Sequence, residues 1–174
     1  MTRKANARLA GITFLLYIVA GITNLALAQP RVTALLTIIT SLCALVLGVT
    51  LYALTRDEDP DLALIALTCR VVEAIPTEEG RVNAIFFAVG STLFAWLLLK
   101  GRLIPAALAW LGTIASPLLL VLLLLQQGGL FAAGSSWSAS LTWIIWLPML
   151  VFEVWLAFWL IVRGVAAGPR TAVE

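Results

Sequence analysis

The chain has 174 residues, of which 62% are apolar and 11% are charged, and its formal net charge is +2. Soluble domains average roughly 45–50% apolar and about 25% charged residues, and a soluble fold of this size has too little interior to bury the excess. The composition therefore excludes a soluble globular protein and a disordered chain. It predicts a polytopic helical membrane protein whose apolar surface is covered by lipid.

Six apolar segments are candidates for membrane spans, each of which needs roughly 20 residues. In chain order they are predicted at residues 9–28, 32–54, 61–76, 82–99, 104–125 and 141–162. The connections between them are short, and the longest covers residues 126–140. We therefore predict an all-α fold in which residues 1–174 form a single integral membrane bundle of six transmembrane helices.

The first segment has two interpretations. The basic stretch 2–8, the apolar run after it and the small residues Ala26 and Ala28 resemble a secretory signal peptide with its cleavage site. The apolar run has about 20 residues, whereas that of a signal peptide has roughly 7–15. We therefore predict that the segment is a retained transmembrane helix.

The third segment is the least apolar, but the distribution of basic residues supports it. With six spans and a cytoplasmic N-terminus, the inner side holds Arg3, Lys4, Arg8, Arg56, Lys100, Arg102, Arg163 and Arg170, and the outer side holds Arg31 and Arg81. Omitting the third span would place Lys100 and Arg102 outside. Because cytoplasmic loops are enriched in basic residues, the sequence predicts six spans with both termini inside.

The residue types present narrow the chemistry. The sequence has no histidine and two cysteines, Cys43 and Cys69, both within apolar stretches. Ser-His-Asp catalysis, Cys-His catalysis and imidazole metal sites are thereby excluded in their usual forms, and we interpret the cysteines as buried apolar side chains. The sequence also lacks a phosphate-binding glycine motif and a basic stripe. We therefore expect no metal, no cofactor and no nucleic-acid partner.

Three ionisable residues, Arg70, Glu73 and Glu153, fall inside predicted spans. A charge at the bilayer centre costs at least roughly 2.5–3.5 kcal/mol, so such residues usually face the bundle interior and find a partner. Arg70 and Glu73 are three residues apart and share a helix face. Glu153 lies near the middle of the sixth span, where it must meet Arg70 or a hydroxyl group, or remain protonated.

These charged residues have two interpretations. In the first, an internal Arg–Glu clasp fixes the packing of the helices. In the second, a polar site between the third and sixth helices binds a small lipophilic molecule within an otherwise apolar cavity. The candidate ligand-binding residues are Arg70, Asn24, Asn83, Trp146 and Trp155, although packing is the alternative role of the two tryptophans.

Three functional classes remain open for such a site: a lipophile-binding protein, a membrane-embedded enzyme and a small proton-coupled transporter. In the enzyme, Glu153 and Glu73 are the candidate catalytic residues. A neutral Glu153 donates a proton to a terpene-like substrate while Glu73, or its partner Arg70, holds the emerging charge. Membrane-bound terpene cyclases provide an analogy for this chemistry. Membrane lipid is the expected partner, and the sequence predicts no oligomeric state.

Four stretches resemble a known family in both sequence and order. They are ARLAG at 7–11, CRVVEA at 69–74, LLKGRLIP at 98–105 and EVWLAFWLIVRG at 153–164. Together they resemble an uncharacterised bacterial family of six-helix membrane proteins, domain of unknown function 4386. The resemblance implies six helices, draws attention to Arg70, Glu73 and Glu153, and implies no activity. Combined with the charge distribution, it predicts a multi-pass protein of the bacterial inner (plasma) membrane.

Overall fold

A computed structural model describes residues 2–27, 29–77, 81–130 and 136–166 of the protein. Its helices are α1 (Arg3–Leu27), α2 (Pro30–Thr55), α3 (Pro60–Glu73), α4 (Arg81–Lys100), α5 (Ala106–Gln127) and α6 (Ser136–Val162). The described residues contain no strand. The predicted all-α fold with six helices is therefore confirmed.

Five of the six helices, all except α3, are long and apolar enough to cross a membrane. The protein is thus a multi-pass membrane protein. Helix α3 has 14 residues, which at 1.5 Å per residue gives a length of about 21 Å. This is less than the roughly 30 Å of a bilayer hydrocarbon core. The predicted third span, 61–76, was too long because the helix ends at Glu73 and residues 74–77 continue in a non-helical conformation.

Several other helix ends differ from the predicted spans. Helix α1 begins at Arg3, and α6 begins at Ser136 inside the predicted 126–140 loop. Hydropathy marks the part of a helix that lies in lipid, whereas a helix continues past the lipid wherever its residues are good helix formers. The predicted spans are therefore shorter than these two helices.

The six helices form a closed ring. Each helix packs against the next one in the chain, α6 packs back against α1, and α2 also touches α4 beside the short α3. Helices α3 and α6 do not contact each other through their backbones. The predicted site between these two helices therefore requires that their side chains meet, or that a space separates them, inside the ring.

One end of the ring gathers the chain segments that carry most of the basic residues. The Arg3 side chain donates to the Leu54 carbonyl, and the Ala166 amide donates to the Leu103 carbonyl. Lys100, at the end of α4, bonds the Asp59 carboxylate at 3.0 Å. The N-terminal turn of α1, the α2–α3 and α4–α5 turns and residues 163–166 therefore lie together, and we call this the basic end.

The start of α3 is fixed at the basic end by its own sequence. Asp59 is the N-cap residue, and its side chain accepts a hydrogen bond from the Leu62 amide. Pro60 occupies the first helical position, where the missing N–H costs nothing. The Lys100 contact joins this cap to the end of α4, so α3 starts at a defined level of the bundle.

Candidate functional site

Arg70 lies at the centre of the ring and is only 1% exposed. Its Nη1 atom lies 2.9 Å from Glu73 Oε2, and its Nη2 atom donates to Ser91 Oγ at 3.1 Å. The guanidinium carbon lies 5.0 Å from the centroid of the Phe87 ring, which is a cation–π geometry. Arg70 of α3 therefore pairs with Glu73 of its own helix and with two residues of α4.

Tyr17 completes the bonding of Glu73. Its hydroxyl donates to Glu73 Oε1 at 2.8 Å, so both carboxylate oxygens of Glu73 have a hydrogen-bond donor. The cluster thus joins α1, α3 and α4 through side-chain hydrogen bonds. A buried ion pair needs such additional hydrogen bonds to offset the desolvation of its two charges.

Two glycines on neighbouring helices make room for the backbone and side chain of Arg70. A Cβ atom at Gly48 of α2 would lie 2.8 Å from Arg70 Cβ. A Cβ atom at Gly90 of α4 would lie 3.2 Å from the Cβ of Cys69, the residue before Arg70. Because these two positions lack side chains, α2 and α4 flank the arginine at short distance.

Glu153 does not join this cluster. It is 5% exposed, and its Oε1 atom has no hydrogen-bond partner in the described part of the chain. The same holds for the Nε atom of Arg70. Both residues line a cavity of about 10 Å³, roughly the size needed to hold one water molecule. The terminal nitrogens of Arg70 thus bond Glu73 and Ser91, and the Oε1 atom of Glu153 remains without a partner among the described residues.

Two larger cavities meet at Glu153. The first, which we call the groove, has a volume of about 650 Å³ and is formed by α1 and α6. Its lining residues are Tyr17, Ile18, Gly21, Ile22, Leu25, Thr142, Trp143, Ile144, Trp146, Leu147, Leu150 and Glu153. Trp143 and Leu147 are among its exposed residues, so the groove opens on the outer surface of the ring.

The second cavity, which we call the chamber, has a volume of about 350 Å³ and is more polar. Its lining residues are Tyr17, Thr37, Thr40, Ser41, Ala44, Glu73, Pro76, Thr77, Asn83, Ala84, Phe87, Trp146 and Glu153. The groove and the chamber share Tyr17, Trp146 and Glu153. The two cavities are therefore adjacent across these three side chains.

The groove exists because α1 and α6 diverge along their length. A Cβ atom at Gly11 would lie 2.6 Å from the Ala157 carbonyl oxygen, whereas one at Gly21 would have no atom within 4 Å. The two glycines are ten residues apart, or about 15 Å along the helix axis. Pro148 lies on the open side of the Ala157 contact, and its missing N–H leaves the Ile144 carbonyl without its helical partner, which favours a bend.

Asn83 lines the chamber, but its amide group already serves the backbone. It donates to the Glu73 carbonyl at 2.7 Å and also to the Ile75 carbonyl, and it accepts from the Thr77 hydroxyl. Asn83 therefore caps the end of α3. The structure gives this predicted ligand-binding residue a capping role that the sequence did not indicate.

The remaining predicted residues separate into two groups. Trp146 lines both cavities, and its ring stacks on that of Phe87 at 6.0 Å. Trp155 is 48% exposed on the outer surface of the ring, because a position two residues from Glu153 falls on the opposite side of a helix. Asn24 is half-buried on α1. Neither Trp155 nor Asn24 lines the groove or the chamber.

Sequence reasoning missed Tyr17, Phe87 and Ser91. A signal existed for Tyr17, because a phenol in the middle of an apolar transmembrane helix needs a hydrogen-bond partner. Nothing in the sequence distinguishes Ser91 from other small residues suited to helix packing, or Phe87 from other buried phenylalanines. Among the described residues, no group of three histidine, cysteine, aspartate or glutamate side chains is arranged to hold a metal ion.

Comparison with known proteins assigns the chain to a family. The family model described as Domain of unknown function (DUF4386) matches residues 28–77 and 81–164. The match includes three of the four stretches noted in the sequence, while the stretch at 7–11 precedes it. No curated protein and no solved structure matches the sequence. Because the family model covers well over half of the chain, including Arg70, Glu73 and Glu153, the protein belongs to the DUF4386 family.

Proposed function

We propose that the protein binds a small lipophilic molecule that enters from the bilayer between α1 and α6. The observation that carries this proposal is the groove of about 650 Å³, whose lining is almost entirely apolar and includes Glu153, a buried carboxyl residue whose Oε1 atom has no hydrogen-bond partner among the described residues. This volume falls within the roughly 300–1,000 Å³ of cavities that hold small-molecule ligands. A few polar groups in an apolar cavity are also typical of such sites.

The groove offers a lateral route from lipid. Leu25 of α1 and Trp143, Ile144 and Leu147 of α6 border it, and each of them is at least half exposed on the outer surface of the ring. In a membrane this surface faces acyl chains, so a lipophilic molecule reaches the groove without crossing water. The route supports a ligand that partitions into the bilayer first.

Glu153 supplies the polar contact that orients the ligand. Both carboxylate oxygens of Glu73 are already bonded, so Glu73 has little capacity to bind a ligand directly. Glu153 Oε1 is buried and has no partner among the described residues. Since a buried polar group without a hydrogen bond is costly, a ligand whose polar group bonds the Glu153 carboxyl group offsets part of that cost.

The experiment fills the groove. Gly21 lines it and has open space at its Cβ position, so Gly21→Phe places a ring in the groove without a backbone clash. Val19 lies on the exposed side of the same helix and outside the groove lining, and Val19→Phe is the matched control. The probe is N-phenyl-1-naphthylamine, a neutral lipophilic fluorophore, added to the protein in lipid nanodiscs with empty nanodiscs as the blank.

We expect Gly21→Phe to weaken binding of the fluorophore by at least about tenfold, or ~1.4 kcal/mol. Val19→Phe should bind it like the wild-type protein. Equal binding by all three proteins, or wild-type fluorescence no higher than that of empty nanodiscs, would refute the proposed binding function.

A specific observation also favours the enzymatic alternative. Glu73 is held by Arg70 and Tyr17, while Glu153 keeps a free oxygen, so the two carboxyl groups have different surroundings. Acid–base sites use such a difference to keep one group as proton donor and the other ionised. In this proposal the Glu153 carboxylic acid protonates the epoxide oxygen of a terpene-like substrate, and a carbon–oxygen bond of the epoxide breaks as a C=C bond of the substrate attacks that carbon. The cyclised cation then loses a proton to the Glu153 carboxylate, which restores the acid. The test measures cyclisation of an epoxidised farnesyl acetate by chromatography and mass spectrometry. We expect Glu153→Gln to form no cyclised product and still to bind the fluorophore. If the wild-type protein forms no product, the enzymatic proposal is wrong.

The proposed orientation places the basic end in the cytoplasm of a bacterial inner membrane. It is supported by the excess of Lys and Arg at that end and by the tendency of cytoplasmic loops to be basic. Gln29 lies at the opposite end, in the α1–α2 connection, and Asp57 lies at the basic end, and both are exposed. In intact bacterial cells, a membrane-impermeant maleimide should label Gln29→Cys and spare Asp57→Cys. The reverse pattern would overturn the orientation.

A further inference from the structure

We infer that the ligand is a lipophilic cation, with an ammonium-type head at Glu153 where the groove and the chamber meet and an apolar tail in the groove. This inference rests on the proposed binding function and specifies its ligand class. Three independent features of the site support it: its charge, its aromatic residues and the residue types that line it.

The first feature is an uncompensated carboxyl group. Arg70 is the only basic residue in the membrane-embedded part of the predicted spans, and it forms its ion pair with Glu73 at 2.9 Å. Glu153 adds a second carboxyl whose Oε1 atom has no partner among the described residues. An ionised Glu153 therefore needs a positive charge from elsewhere, because an unpaired charge at this depth is costly. A cationic head group supplies that charge, and a neutral or anionic head group does not.

The second feature is an aromatic surface beside the carboxyl group. The rings of Tyr17 and Phe87 stack at 6.4 Å, and those of Phe87 and Trp146 stack at 6.0 Å. Trp146 is seven residues from Glu153, close to two helical turns, so both residues lie on the same face of α6. Trp146 also lines both cavities. Tryptophan has the most favourable ring for binding a cation, and aromatic surfaces are typical of quaternary ammonium sites.

The third feature is the absence of basic residues from the linings. Neither the groove nor the chamber, as lined by described residues, includes a lysine or an arginine. The polar groups at their junction and in the chamber are carboxyl and hydroxyl groups, among them those of Glu73, Thr37, Thr40 and Ser41. In these two linings an anionic head group would meet the carboxyl groups of Glu153 and Glu73 and no lysine or arginine. The linings therefore favour a cation over a fatty acid or other anionic amphiphile.

The test compares three amphiphiles with the same chain and with charges that do not depend on pH. Decyltrimethylammonium is the cation, decanol is neutral and decyl sulfate is the anion. Each one displaces N-phenyl-1-naphthylamine from the protein in nanodiscs. We expect the cation to displace the fluorophore at a concentration at least about tenfold lower than decanol, which corresponds to ~1.4 kcal/mol, with decyl sulfate weakest.

Three variants test which residues cause the preference for the cation. Glu153→Gln should reduce the cation to the potency of decanol, because it removes the charge and keeps the shape of the side chain. Trp146→Leu should weaken displacement by the cation more than displacement by decanol. Trp155→Leu is the matched control, since Trp155 lines neither cavity, and it should behave like the wild-type protein.

The outcomes separate this inference from the binding function. If decanol or decyl sulfate equals the cation in the wild-type protein, or if the cation preference survives in Glu153→Gln, the cation inference is wrong. In either case the lipophile-binding function stands as long as Gly21→Phe still blocks the fluorophore. If Gly21→Phe has no effect, the binding function itself fails.

Discussion

Replacing Glu73 by glutamine should destabilise the protein far more than replacing Glu153 by glutamine. In Glu73→Gln, Arg70 remains buried at 1% exposure and loses the carboxylate that lies 2.9 Å from its Nη1 atom. Removing one partner of a buried ion pair leaves an uncompensated charge and typically costs about 3–5 kcal/mol. The same change at Glu153 breaks no hydrogen bond to Oε1 and removes a carboxyl group that lacks a basic partner, so stability should stay equal or increase.

Tyr17→Phe supplies an intermediate step between these two substitutions. It keeps the ring that stacks on Phe87 and removes the hydroxyl that donates to Glu73 at 2.8 Å. Loss of a hydrogen bond to a charged group costs about 1.5–3 kcal/mol. Free energies of unfolding come from titration of the purified protein with sodium dodecyl sulfate, followed by tryptophan fluorescence. If Glu153→Gln is as destabilising as Glu73→Gln, or Glu73→Gln matches the wild-type protein, the assignment of Arg70 to Glu73 is incorrect.

Two further predictions concern packing and pH. Gly48→Ala should destabilise the protein by about 1–3 kcal/mol, because the added methyl group would lie 2.8 Å from Arg70 Cβ. Gly21→Ala should be neutral or stabilising, because no atom lies within 4 Å of the added methyl group, and unfolding of both variants in detergent measures the difference. The Lys100 ammonium and the capped α3 amides hold the pKa of Asp59 below its usual value. The resulting stabilisation should be present above pH about 4 and lost as the pH falls through the lowered pKa of Asp59. Lys100→Gln should reduce this sensitivity to acid. Unfolding midpoints of the wild-type protein that do not change with pH would contradict the prediction.

The sequence predicted the parts of the structure that depend on local composition or spacing. Apolar runs of sufficient length located the helices, and the spacing of three residues between Arg70 and Glu73 predicted their shared face. Contacts between positions far apart in the chain could not be predicted from the sequence. Tyr17 and Glu73 are separated by 56 residues, and their hydrogen bond depends on which helices are neighbours in the ring. The exposed position of Trp155, in contrast, was predictable, because Trp155 is two residues from Glu153 and falls on the opposite side of the helix from that inward-facing residue.

The short α3 explains why a polar cavity lies beside the ion pair. Non-helical backbone at membrane depth is tolerated only where it is buried in protein or lines a cavity, because its polar groups must be satisfied without lipid. Residues 74–77 follow the end of α3, and Asn83 bonds the carbonyls of Glu73 and Ile75. Pro76 and Thr77 of the same segment line the chamber. Because α3 ends early, a capped non-helical segment lines one side of the chamber where a helix would otherwise continue. Glu73 is the last residue of α3 and lies between the helix and this segment.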